Sequence, residues 1–279
     1  MREVTFCFGK GAQMVGTLCL PDPAPTPGRP GLVLFNAGVI GRIGPHRLNV
    51  HLARRVAASG IPVMRFDLRG VGDSNRPAGD ASFESQAIAD VREAMDAFAE
   101  QTGSSRFLLF GFCSGAYYSF GTALVDTRVS GLILYDAFRY PTARAIWNKH
   151  MASIRRQGLL RAVWRRLARA VREAVKGGSG DDEPVANVAY ITQMPTRREF
   201  ADQANQLASR GIRLHMIFSG GLESYNYAEQ FNDAFRGEAF LARTDSRHFP
   251  DWDHVATRLE HHRQLVDTLT AIVGRELAD

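Results

Sequence analysis

An α/β fold, with a mostly parallel eight-stranded sheet flanked by helices, is predicted by three features of this sequence. From Gly31 onward, short apolar runs alternate with amphipathic stretches of helical period. Runs such as Gly31-Leu32-Val33-Leu34-Phe35 and Arg106-Phe107-Leu108-Leu109-Phe110 are continuously apolar, as strands buried on both faces must be. At 279 residues and 45% hydrophobic content, the chain can bury the core that such a layered sheet needs, in one large domain or one domain with an insertion.

The elements follow in order. Val4, Phe6 and Phe8 alternate in the manner of a strand, and a second run from Met14 to Leu20 predicts an antiparallel opening pair. A proline-rich loop, Pro21 to Pro30, leads into the third strand, Gly31–Phe35. Helices are then expected over Leu48–Ala58, Phe83–Glu100 and Gly115–Val125, alternating with strands Ile61–Phe66, Arg106–Phe110 and Val129–Tyr135. The rhythm breaks at residues 141–184, where Leu160, Val163, Trp164, Leu167, Val171 and Val175 recur at helical spacing. This segment is expected to be a helical cap inserted after the sixth strand, dividing the core into residues 1–140 and 185–279. Beyond it come a helix near Arg198–Ser209, a strand Ile212–Phe218, a helix near Tyr227–Phe235, a strand near Glu238–Arg243 and a final helix near Thr257–Glu276.

Charge is unevenly spread. The net charge is +5, yet residues 143–176 hold ten Lys or Arg against the single acid Glu173, so the remainder of the chain is net acidic. That confines the basic character to the insertion and argues against nucleic acid as a partner, since no aromatic-interleaved or groove-reading motif accompanies the arginines. No run approaches the length of a membrane span. Cys7, Cys19 and Cys113 are odd in number and lack metal-ligand spacing, and the N-terminus has no signal-like apolar stretch; a reducing, cytoplasmic setting is expected.

The most informative residues are Gly111-Phe112-Cys113-Ser114-Gly115, between an apolar strand and a helical stretch. They read as a nucleophile elbow with cysteine at its centre. Glycines at i−2 and i+2 are what such a tight turn requires, because side chains there would collide with neighbouring backbone. The same spacing fixes Cys113 as the nucleophile and leaves Ser114 as a backbone donor to an oxyanion, joined by amides of the loop Asn36-Ala37-Gly38-Val39, Gly38 and Val39 being the candidates. Asp67, Arg69 and Asp73, in the loop after the fourth strand, read as turn-fixing residues.

The stretch Arg65-Phe66-Asp67-Leu68-Arg69-Gly70-Val71-Gly72-Asp73-Ser74, followed by the elbow at the right separation, resembles the α/β-hydrolase superfamily over nearly the whole chain. With His46-Arg47 and the cysteine-bearing elbow, it also looks like the exosortase A system-associated hydrolases, although Ser114-Gly115 and the basic cap depart from that pattern. The resemblance implies an acid after the seventh strand, where Glu223 stands, with Asp136 at the end of the sixth strand as the alternative. It also implies a histidine after the eighth strand. His254, in Trp252-Asp253-His254-Val255, is preferred and His248 is the alternative. His261 and His262, in the final helix, are expected to be solvated.

A thiol is mostly protonated at neutral pH, so Cys113 would depend on an imidazole and the helix N-terminus to become a thiolate, with the carboxylate orienting the imidazolium. The expected outcome is an acyl-enzyme on Cys113, formed from a thioester or ester and resolved by water or by another acceptor, with no cofactor and no metal. Phe112, Trp147 and Trp164 are candidate pocket residues. The basic cap fits an acidic acyl carrier protein, or equally an anionic lipid or polysaccharide surface. Two alternatives stand beside this: a lactone hydrolase of the dienelactone-hydrolase type, and a non-catalytic binding or assembly protein that keeps the fold.

Overall fold

The structure, a computed structural model, describes residues 1–25, 28–77, 79, 81–157, 194–221 and 224–277. Its centre is an eight-stranded sheet in the order β1-β2-β4-β3-β5-β6-β7-β8. β1 (Arg2–Phe8) and β2 (Met14–Leu20) form the antiparallel opening pair, and β2 also runs antiparallel to β4 (Val63–Phe66). β3 (Gly31–Leu34), β4, β5 (Phe107–Phe112), β6 (Val129–Tyr135), β7 (Arg213–Ser219) and β8 (Thr244–Phe249) are mutually parallel.

Alternation along the central strands sorts their side chains onto two faces. Leu32, Leu34, Leu108 and Phe110 pack in one cluster with α1 (Leu48–Ala58) and α7 (Leu259–Glu276), through Leu52, Val56, Leu265 and Leu269. Val33, Phe107 and Leu109 pack on the other with α2 (Phe83–Thr102), α3 (Ser114–Val125) and α5 (Arg197–Ser209), through Val91, Phe98, Phe120 and Phe200. Each fully buried Leu or Phe contributes about 1.5–3 kcal/mol of transfer free energy, so the two apolar faces are what hold the layers together. Local signals set the helix ends: Ser82 caps α2, and Thr196 with Glu199 forms a capping box on α5.

The turn-fixing residues behave as expected. Asp67 is buried; its Oδ1 accepts from the Arg42 amide at 2.5 Å, and its Oδ2 accepts from the Asp73 amide at 3.1 Å and from the Arg42 guanidinium. Arg69 lies between Asp90 and Glu93.

Two expectations fail. The last strand is Thr244–Phe249, while Ala239–Arg243 forms a 3-10 helix that drives Phe240 into the core. β8 is an edge strand, half-buried along its length, so its sequence Thr-Asp-Ser-Arg-His-Phe carries no apolar run by which to find it. His261 and His262 are buried rather than solvated, and the His262 ring meets His51 of α1 edge-on at 5.5 Å.

The chain leaves the core after Tyr140 and returns at Pro195, and the Tyr140 hydroxyl donates to the Pro195 carbonyl at 2.8 Å, pinning the two ends together. Within this excursion α4 (Ala143–Gln157) is tied to the core at its start: Thr142 Oγ1 lies 2.7 Å from the Tyr227 hydroxyl, and Asn226 donates to the Ala145 carbonyl at 2.9 Å. Residues 158–193, with Trp164, the expected cap boundary and most of the basic stretch, lie outside the described residues. Among the described residues no helix is long and apolar enough to cross a membrane.

Candidate active site

β5 turns into α3 through Cys113, whose backbone sits at φ 53° and ψ −116°, outside the region ordinary residues occupy. The strain is held in place from both sides. The Cys113 amide donates to the Tyr135 carbonyl at 2.9 Å, and a Cβ at Gly111 would stand 2.6 Å from the Ala116 nitrogen. On the other side of the turn a Cβ at Gly115 would stand 2.7 Å from the Asn36 carbonyl oxygen. The two glycines are thus the condition for this turn, as the sequence pattern implies.

His254 reaches Cys113 from the loop after β8, and its Nδ1 lies 2.8 Å from Asp136 Oδ2. Asp136, buried at the end of β6, also accepts from the Ser219 amide at 2.7 Å and the Ser219 hydroxyl at 2.6 Å. The carboxylate seen on the imidazole is Asp136, the alternative acid of the sequence. Glu223 lies outside the described residues. Asp253, beside His254 in sequence, binds the Val255 and Thr257 amides and shapes the loop that presents the imidazole.

His248 does not join them. It lies within β8 with its ring 5.1 Å from Tyr225, and burial holds its imidazole below the ordinary value. Phe112, expected in the substrate pocket, is buried instead: it stacks on Tyr135 at 4.8 Å and backs the His254 ring at 5.1 Å. It supports the imidazole from behind because strand alternation turns it away from the elbow's open side. Trp147, on α4, is 65% exposed, so it packs into no pocket wall among the described residues.

The oxyanion side is partly pre-engaged. The Ser114 amide, the expected oxyanion donor, is directed at the Cys113 sulfur. The Gly38 amide donates to Ser114 Oγ at 2.7 Å, so it serves a carbonyl oxygen only when that hydroxyl turns aside. Val39 is 69% exposed on the same loop.

The electrostatics pair the thiol with the imidazole. Its hydrogen bond to Asp136, then that to Cys113, raises His254 to about 9 against a partial opposition from burial. Burial pushes the Cys113 thiol up, but His254, the Ser114 amide and the more distant Arg139 together bring it below its usual range. Because the folded His254 value lies above its unfolded 6.5, the stability from its proton is complete below about 6.5 and is lost as pH rises through about 9. Iodoacetamide labelling of Cys113 is expected to remain fast at neutral pH, and His254→Ala is expected to move the midpoint of its rate profile upward. An unmoved midpoint would mean that His254 does not activate the thiol.

A strained strand–turn–helix with Cys113 at its apex after β5, a carboxylate at the end of β6 and an imidazole after β8, in that chain order, is the arrangement of an α/β-hydrolase. Residues 32–236 match the family model described as serine aminopeptidase, S33, and the chain belongs to that family of hydrolases. Solved structures agree on the fold. Est1E from Butyrivibrio proteoclasticus is 12% identical with a TM-score of 0.60, covering 99% of both chains. XC6422 from Xanthomonas campestris, an α/β serine hydrolase without a lid, is 17% identical with a TM-score of 0.58, covering 100% of this chain and 97% of its own. An α/β serine hydrolase homologue from Coxiella burnetii is 14% identical with a TM-score of 0.57, covering 98% of both chains. No curated protein matches the chain. The family and two of these structures are named for serine, whereas here cysteine holds the elbow position.

Proposed function

We propose that the chain is a cysteine-nucleophile hydrolase or acyltransferase that forms an acyl-enzyme on Cys113 from an ester or thioester, with His254 as general acid and base and Asp136 as its orienting carboxylate. The observation that carries this reading is the contiguous line from Cys113 through His254 to Asp136, anchored at its far end by two bonds from Ser219. The thiolate sulfur attacks the acyl carbon and the carbonyl electrons move to oxygen beside the Ser114 amide. Collapse re-forms the carbonyl and expels the alkoxide or thiolate, to which the His254 imidazolium gives its proton. The neutral imidazole then takes a proton from water or from an acceptor thiol or alcohol as it attacks, and Cys113 leaves as thiolate.

A sulfur-bound acyl group is close in energy to an incoming thioester, which favours reversible transfer over the cleavage of amides. The expectation that an acidic acyl carrier protein delivers the substrate rests on the basic stretch, most of which lies outside the described residues.

Intact-protein mass spectrometry after mixing with acyl thioesters and p-nitrophenyl esters tests the reading. A mass increase equal to the acyl group is expected in the native chain and absent in Cys113→Ala. An adduct that survives that substitution would place the nucleophile elsewhere, and no adduct and no turnover across the panel would favour a binding role for the fold.

A further inference from the structure

Gly115 does more than permit the turn at Cys113. Its missing side chain also lets the loop after β3 come against the first turn of α3, where a Cβ would stand 2.7 Å from the Asn36 carbonyl oxygen. That approach brings the Gly38 amide to Ser114, whose hydroxyl oxygen accepts from it at 2.7 Å. Ser114 follows Cys113 directly and opens α3, so the hydroxyl stands beside the nucleophile by covalent geometry.

The groups on either side of this hydroxyl are fixed. The Asn36 side chain donates to the Ile40 carbonyl at 3.0 Å and accepts from the Leu68 amide at 2.5 Å, and the Ile40 amide donates to the Ala37 carbonyl at 3.0 Å. The turn that carries Gly38 is therefore held at both ends. The Ser114 amide is held by the strained elbow and by α3. Between them the hydroxyl is a rotor with a single proton, and an oxygen that accepts from Gly38 directs that proton away from Gly38. An oxyanion bound to the Ser114 amide lies within reach of the same residue's hydroxyl, because one Cα carries both. A hydroxyl that already accepts a hydrogen bond is polarised and donates the more strongly.

We infer that the Ser114 hydroxyl is the second donor of the oxyanion hole, relaying the Gly38 amide to the oxygen of the tetrahedral intermediate. The inference rests on the acyl-enzyme reading and deepens it by making the Ser114 side chain, as well as its amide, a catalytic group. As the Cys113 sulfur bonds to the acyl carbon, the carbonyl electron pair moves to oxygen, which takes no proton. The hydroxyl keeps its own proton and donates a hydrogen bond to the new charge. Collapse returns the pair to the carbonyl, the leaving group departs with the proton of His254, and the hydroxyl ends as it began.

The test sets a reaction that forms an oxyanion against one that does not. The butyryl thioester of N-acetylcysteamine acylates Cys113 through the tetrahedral intermediate, whereas iodoacetamide loses iodide from a saturated carbon, and intact mass reads both rates. Ser114→Ala is expected to slow acylation about 10²-fold, the cost of one lost oxyanion donor, with iodoacetamide labelling unchanged and Ser114→Thr restoring most of the acylation rate. Equal slowing of both reactions, the result if Ser114 only shapes the elbow, would overturn the inference. So would unchanged or faster acylation in Ser114→Ala, faster acylation being the mark of a hydroxyl that merely blocks Gly38. Propyl trifluoromethyl ketone, to which the Cys113 thiolate adds reversibly with no group to expel, separates the inference from the reading beneath it. If Ser114→Ala weakens the ketone adduct about 10²-fold while the thioester acylates neither protein, the acyl-enzyme fails and the oxyanion role stands. If the thioester acylates both proteins alike, the acyl-enzyme stands and the oxyanion role fails. If the native chain takes neither ketone nor thioester, both fail.

Discussion

Asp136→Asn is expected to slow acylation of Cys113 by about 10⁴-fold while leaving the fold intact. Asparagine tolerates the positive φ of this position, so the backbone has no reason to move. The loss is one of proton placement. The Ser219 amide can only donate, so it holds the oxygen of the new side chain and turns the NH₂ toward His254. His254 Nδ1 must then accept, which puts the ring proton on Nε2, facing the sulfur. An imidazole in that tautomer cannot take the thiol's proton. Steady-state turnover, or the rate of acyl adduct formation where turnover is slow, measures the effect, with circular dichroism to verify folding. Glu223→Gln, measured in parallel, is expected to remain within a few-fold of the native rate. The reverse pattern would move the acid to the loop after β7.

The second large effect concerns the elbow. Gly111→Ala is expected to destabilise the protein by more than about 4 kcal/mol, the range reached only when something rigid must move. A methyl group there meets main-chain atoms of Gly115 and Ala116, and no rotamer change relieves a clash with backbone. The soluble yield and the denaturant midpoint should both collapse. Gly38→Ala supplies the contrast. Unlike Gly111 it has positive φ, but nothing lies within 4 Å of the added methyl, so the cost should be confined to about 1–2 kcal/mol of backbone strain. Similar losses in the two variants would show that the turn is not as tightly packed as described.

Much of this architecture is legible in the residues. Strands buried on both faces declare themselves as unbroken apolar runs, which is why β3 to β7 are found within a residue or two. The elbow is legible because two glycines at fixed offsets around Cys113 have a steric reason to be there. What the sequence hides is polar. β8 has no apolar run because it borders only β7, and the apolar residues just before it imitate a strand while supplying one side chain, Phe240, to the core. Asp136 follows Leu134-Tyr135 as any residue at a strand end would, and its role depends on a histidine 118 positions away. The Asp-His pair in Trp252-Asp253-His254 points to the imidazole that meets Asp136, although Asp253 turns out to fold the loop rather than face the ring.

The pin between Tyr140 and Pro195 has a consequence for how such a protein changes over time. Because the excursion departs and rejoins at one point, its length enters the stability of the core through loop closure, a cost that grows with the logarithm of the number of residues, beside the ties made by Thr142 and Ala145. Cys113 and Asp136 lie before the departure point and His254 lies after the return. Insertions, deletions or wholesale replacement of residues 141–194 therefore leave the distances among the three almost untouched. Selection can redraw the excursion while Cys113, His254 and Asp136 keep their places relative to one another.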